Sequence, residues 1–163
     1  MHTVEMAALS PADLGEDGGA RRPRRAPLTT RQTALLVAGG GALGSVLRFV
    51  LELALPSTIT PTLVEIPWAT WLANAVGCLG VGLVSGLIEV HPRAPRWLEP
   101  FVVIGLCGAF TAVSTVVLQV GAMIGADFPL VGLEYGMATV VVALGAVVLG
   151  IAAGRLLGKR VSA

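Results

Sequence analysis

The chain has 163 residues, of which 55% are hydrophobic and 13% charged, with a mean hydropathy of +0.82. Arg48, Glu52 and Glu65 are the only charges from Thr33 to Ile88. A soluble domain of this length has too little interior to hide so much apolar surface, so the composition excludes one and points to a membrane protein.

The first 32 residues read as a polar tail, with Asp13, Glu16 and Asp17 followed by Arg21-Arg22-Pro23-Arg24-Arg25. Disorder is expected there. A cleavable signal would need a short apolar core and a small-residue cleavage site, whereas this tail leads into a full-length span. The basic run reads as a cytoplasmic anchor that sets topology. An acidic-lipid or nucleic-acid patch is the sharper alternative.

Four apolar segments follow, at Thr33 to Leu55, Pro67 to Ile88, Phe101 to Ala126 and Leu130 to Leu157. Each is long enough as a helix to cross about 30 Å of hydrocarbon, which takes ~20 residues. The segments lack period-two alternation and are too long for barrel strands, so the predicted fold is an all-α membrane protein. Its one domain covers residues 33–157, with a C-terminal tail at 158–163. Within the third span, Gly105 and Gly108 loosen the helix, and a break is expected there. Backbone freed at that depth must face other protein or a wet cavity.

Apart from Arg48, lysines and arginines number five in the N-terminal tail, two in the second loop and three towards the C-terminus (Arg155, at the end of the last span, Lys159 and Arg160), with none in the first and third loops. All ten therefore fall on one side, and the positive-inside rule puts both termini in the cytoplasm. Glycine pairs four residues apart occur at Gly40/Gly44, Gly82/Gly86, Gly121/Gly125, Gly132/Gly136 and Gly150/Gly154. That spacing places both glycines on one helix face and predicts close packing within a bundle or oligomer.

The chemistry inside the spans is sparse. Cys78 and Cys107 are single and lack ligand-spaced neighbours, so they read as packing residues, and His91 reads as a surface residue. No nucleophile with a base, phosphate loop or paired carboxylate is found in the spans, and no enzyme activity is expected. The polar inventory is Ser45 and Arg48, then Thr70, Asn74 and Ser85, then Thr111, Ser114, Thr115 and Gln119, then Tyr135 and Thr139. Burying the Asn74 amide unpaired would cost about 2–7 kcal/mol. Single hydroxyls can bond back to their own helix, but four polar residues between Thr111 and Gln119 suggest an anion path.

Gly40-Gly41-Ala42-Leu43-Gly44-Ser45-Val46-Leu47-Arg48-Phe49, Ile66-Pro67-Trp68-Ala69-Thr70-Trp71-Leu72-Ala73-Asn74-Ala75-Val76-Gly77 and Gly105-Leu106-Cys107-Gly108-Ala109-Phe110-Thr111-Ala112-Val113-Ser114-Thr115 resemble, in order and spacing, three signatures of the bacterial fluoride channels. The likeness covers roughly residues 34 to 157. It implies an antiparallel dimer of four-helix subunits in the cell membrane, with two narrow fluoride pores at the interface. A structural sodium ion, not transported, would lie on the dimer axis.

Fluoride holds water tightly, so a pore must replace its hydration with donors, here Asn74, Ser114, Thr115, Tyr135 and Thr139. Asn74 is expected opposite Thr139 or Tyr135. Gly108 and Thr111 match family positions whose carbonyls bind sodium. Arg48 matches a family arginine of the first span, with a snorkelling side chain as the plain alternative.

Two features depart from the family pattern. Val113 and Val116 stand where phenylalanines are usual, so the ring edges thought to face the anion are missing, and Gln119 replaces a common glutamate. An antiparallel homodimer also needs one chain to insert both ways, which the ten-to-none charge split opposes. A heterodimer with an oppositely inserted relative is therefore favoured over a homodimer. The competing readings are a non-conducting partner subunit and a small drug-proton antiporter. The antiporter would need a membrane carboxylate, for which only Glu52 is a candidate.

Overall fold

The structure, a computed structural model, describes residues 28–55, 58–59, 65–91 and 94–162. Residues 1–27, including the basic run, lie outside the described residues. Helix α1 spans Thr30–Ala54, and strands β1 (Thr58–Ile59) and β2 (Glu65–Ile66) form a two-stranded antiparallel ladder before α2 at Trp68–Val90. A π-helical segment, Glu99–Cys107, continues into α3 at Gly108–Phe110, and α4 (Val113–Gly125) and α5 (Pro129–Ser162) complete the chain. Four helical stretches, with the π segment, α3 and α4 together forming the third, are long and apolar enough to cross a membrane. The protein is a multi-pass membrane protein whose four spans are all helical.

Local chemistry sets the ends of these elements. Helix α1 starts at Thr30, three residues earlier than expected, because Thr29 and Gln32 form a reciprocal capping box: the Gln32 N–H donates to Thr29 Oγ1 and the Thr29 N–H to Gln32 Oε1. Helix α5 runs five residues past Leu157, to Ser162, so 158–162 is not a separate tail. Gly158 still packs against Val90 and Leu87, and Lys159 and Arg160 suit the negative end of a helix.

Helix α4 ends in a Schellman motif. The N–H of Asp127 donates to the Ile124 carbonyl and that of Phe128 to the Met123 carbonyl, with Asp127 left-handed at φ 66°. A left-handed L-residue costs about 1–2 kcal/mol, which aspartate tolerates better than branched residues. Asp127→Gly is expected to keep or raise thermal stability in detergent. Asp127→Val is expected to lie about 1–2 kcal/mol below the glycine variant in the same melt.

The core is built of small residues, and no large side chain among those described is fully buried. Large apolar groups such as Leu35, Leu130 and Leu149 face outward, as a lipid-facing surface requires. Glycine seams bring the backbones together instead. A Cβ on Gly82 or Gly86 would strike the carbonyls of Val147 or Ile151, and one on Gly150 or Gly154 those of Leu79 or Leu83. These pairs rise together along both chains, so α2 and α5 run parallel. The second seam sets Gly40 and Gly44 against Phe101 and Leu106, with Gly105 facing Val37 and Gly40 in return. Gly105 thus serves the close approach of α1 and the π segment.

The start of α1, the end of α2, the start of the π segment and the end of α5 consequently share one end of the bundle. Arg155 there makes a two-pronged ion pair with Glu89, at 2.9 and 3.0 Å. Trp97 packs edge-on against Phe101 at this end, and Trp68 against Trp71 at the other. Aromatics at both ends are what two membrane interfaces favour.

Candidate functional site

Between α3 and α4 the backbone leaves helical angles for two residues, Thr111 (φ −82°, ψ 150°) and Ala112 (φ −150°, ψ 102°). The expectation put a break between Gly105 and Thr111, loosened by the two glycines. Yet Gly108 is helical at φ −62° and ψ −36°, and the extended pair lies three residues further on. Asn74 accounts for that position. Its side chain is 4% exposed and its Oδ1 accepts the Ala112 N–H at 2.9 Å. In an unbroken helix that N–H would have gone to the Gly108 carbonyl four residues back. Asn74 therefore meets the interruption, where the sequence suggested it would face Thr139 or Tyr135.

Downstream of the interruption α4 begins with no side-chain cap. The first-turn N–H groups of Val113, Ser114 and Thr115 have no acceptor within the helix, and the helix dipole makes this end positive. Ser114 is exposed beside them, as is Val113 at 76%. Val116 is 8% exposed and packs inside the subunit, so the two valines, expected to line one path, point different ways.

The Thr115 hydroxyl accepts from Arg48 Nη2 at 3.0 Å, while Arg48 Nε donates to Glu52 Oε1 at 2.9 Å. The Arg48 side chain is only 14% exposed. It reaches inward from α1 to α4 and does not snorkel outward, which brings a fixed positive charge to the first turn of α4. Glu52 is the partner of that charge, so it is not the unpaired carboxylate that proton exchange would require.

One turn along α4 from Thr115, Gln119 joins three helices. Its Nε2 donates to Thr70 Oγ1 at 3.0 Å, and its Oε1 accepts from the Tyr135 hydroxyl at 2.9 Å. Thr70 is 3% exposed and Thr139, 6% exposed, donates to the Tyr135 carbonyl at 2.7 Å. Thr111 and Ser45 likewise bond back, to the Cys107 and Gly41 carbonyls. Sequence reasoning named Thr70 and Gln119 only in the polar inventory and as a departure. Their pairing was signalled by nothing stronger than two hydrogen-bonding residues in apolar spans.

Thr115, Gln119, Tyr135 and Thr139, with Asn74 and Ser114 at the interruption, thus form a polar line beginning at an uncapped positive helix end. Chemically it can hold an anion through hydroxyl, amide and backbone N–H donors, and it has no described group suited to bond making. Among the described residues no cluster of three or more His, Cys, Asp or Glu side chains could hold a metal, and Cys78 and Cys107 are free thiols.

Residues 35–151 match the family model described as CrcB-like protein, Camphor Resistance. The chain is 36% identical over 134 residues to fluoride-specific ion channel FluC 2 of Nocardia farcinica, covering 82% of this chain and 92% of that one. It is 33% identical over 123 residues to fluoride-specific ion channel FluC 1 of Nitrobacter hamburgensis, covering 76% and 95%. Against fluoride-specific ion channel FluC of Nitrobacter winogradskyi the identity is 34% over 117 residues, covering 72% and 90%.

Proposed function

Since the chain belongs to the CrcB-like family, we propose that it is a subunit of a fluoride-specific channel through which fluoride leaves the cell passively, down its gradient. The polar line starting at the uncapped end of α4 carries this reading. Fluoride gives up its water only to closely set donors, and the line offers Asn74, Ser114, Thr115, Tyr135 and Thr139, of which Tyr135 and Thr139 donate to an anion after turning from Gln119 and the Tyr135 carbonyl. Positive charge from Arg48 and the helix end attracts the anion. Val113 and Val116 leave the path without aromatic edges. Both termini lie in the cytoplasm, on the strength of the charge split.

A dimer completes the pore. Four short helices enclose little space of their own, and the Gly121/Gly125 pair on α4 has nothing within 4 Å in this chain, which suits an approaching second subunit. The partner is a related chain inserted the opposite way. A structural sodium ion at the junction fits the donors of this chain. The Gly108 carbonyl has lost its helical donor to Asn74 and the Thr111 carbonyl sits in extended backbone, and hard cations take such oxygens. When bound, the ion would supply a fixed positive charge near the path. Gly108 and Thr111 would hold it through their carbonyls, and Asn74 would hold those carbonyls free.

Fluoride efflux from vesicles holding this chain alone, an oppositely biased relative alone, or both together tests the proposal. Little efflux from the chain alone and rapid efflux from the pair is expected, with both termini labelling from one side. A lone chain that labels from both sides and conducts would overturn the heterodimer. A pair no faster than the relative alone would make this chain a non-conducting partner.

A further inference from the structure

Across the facing sides of α2, α4 and α5, three side chains form one hydrogen-bonded relay: Tyr135 donates to Gln119, and Gln119 donates to Thr70. A primary amide has one end that only accepts and one that only donates, whereas a hydroxyl does either. Turning the Gln119 amide through half a rotation exchanges its ends and leaves both contacts satisfied, with direction reversed at Thr70 and Tyr135 together. In the orientation observed, the phenolic proton is committed to Gln119 and the lone pairs are left for anything approaching Tyr135. In the reversed orientation the phenol accepts from Gln119 Nε2 and its proton is free, while the Thr70 proton is committed. The relay thus releases the proton of one hydroxyl at a time.

We propose that Gln119 is a positioning residue that acts through Tyr135: the orientation of its amide decides whether the phenol presents its proton or its lone pairs to an anion passing it. This rests on the reading of Tyr135 as a pore group given above. An anion needs the proton, and lone pairs repel it. A glutamine allows both states, whereas an ionised glutamate accepts from both hydroxyls and holds the phenolic proton permanently. The charged groups that reach this part of α4 and α5 are Arg48 with its partner Glu52, through Thr115 one turn away, and exposed Glu134 beside Tyr135.

The test uses Gln119→Glu, which keeps both contacts, alone and combined with Tyr135→Phe. Because the chain contains a single tyrosine, the Raman doublet of tyrosine, which separates a donating from an accepting phenol, reports Tyr135 alone. In Gln119→Glu the doublet is expected to shift to the pure donor form above the carboxylate pKa and back at acid pH. Fluoride efflux from the assembled channel should fall about tenfold at alkaline pH and recover on acidification, as loss of one hydrogen bond to a charged group allows. Wild-type efflux should stay flat. In the Tyr135→Phe background the pH-dependent loss should vanish. An unchanged doublet, or a loss that persists without Tyr135, would overturn the proposal. An unmutated assembly that fails to conduct would refute the pore reading, while the doublet would still decide the role of Gln119.

Discussion

Replacing Gly150 by leucine is expected to abolish the folded subunit. The seam between α2 and α5 is the most extensive helix contact among the described residues, and Gly82, Gly86, Gly150 and Gly154 line it from both sides. A Cβ at Gly150 would meet the Leu79 carbonyl, the Leu83 nitrogen and the Gly82 α-carbon, all backbone atoms that no rotamer change can move. Overpacking of side chains costs about 1–3 kcal/mol, and forcing two backbones apart costs more. Separating these helices also pulls Thr70 and Tyr135, on α2 and α5, away from Gln119. Even Gly150→Ala is expected to lower the detergent melting transition sharply. Gly145→Ala supplies the contrast. Nothing lies within 4 Å of that position, so alanine should raise helix stability by about 1 kcal/mol in the isolated subunit. Equal melting of the two alanine variants would show that the seam does not hold the fold.

Asn74→Asp is expected to fold and to stop fluoride. Aspartate keeps an oxygen for the Ala112 N–H, so the interruption survives. It also adds a negative charge at the start of the anion path. Two like charges ~5 Å apart repel by about 3 kcal/mol at an effective dielectric constant near 20, a flux penalty on the order of a hundredfold. Asn74→Leu fails differently. It removes the acceptor of the Ala112 N–H, which then either goes unpaired, at about 1–3 kcal/mol, or closes onto the Gly108 carbonyl and mends the helix, so its main effect falls on stability and on the junction. Fluoride efflux and thermal melting of both variants separate the roles. Undiminished flux in well-folded Asn74→Asp would remove Asn74 from the path.

The architecture was legible in the sequence because lipid makes it so. A span must be long, apolar and helical, so the number and type of the spans could be read directly, while the short β1–β2 ladder and the π segment could not. Ends were less legible, since they rest on local chemistry. The capping box of Thr29 and Gln32 was available as a motif, but the run of α5 to Ser162 depends on Gly158 finding Val90 on another helix. The site was legible as an inventory and not as a wiring diagram. Asn74 could be named as a residue that must find a partner, yet its partner is the backbone of Ala112, thirty-eight residues away. Gly105 was read as a helix breaker, but it serves the seam with α1, and the backbone opens at Thr111 and Ala112, where an amide from α2 captures the donor. Val113 and Val116 pair only through the family positions they occupy, and packing against the rest of the subunit divides them.

The central claim is that the polar line from Asn74 and Ser114 to Tyr135 and Thr139 is a path for fluoride. Its most direct test is simultaneous measurement of fluoride and chloride efflux from vesicles loaded with both and holding the assembled channel, after the potassium counter-flow has been shunted by an ionophore. The account predicts rapid fluoride release while chloride stays inside, with the fluoride component lost in Asn74→Asp. Retention of both anions by a folded assembly, or release of both at similar rates, would contradict it.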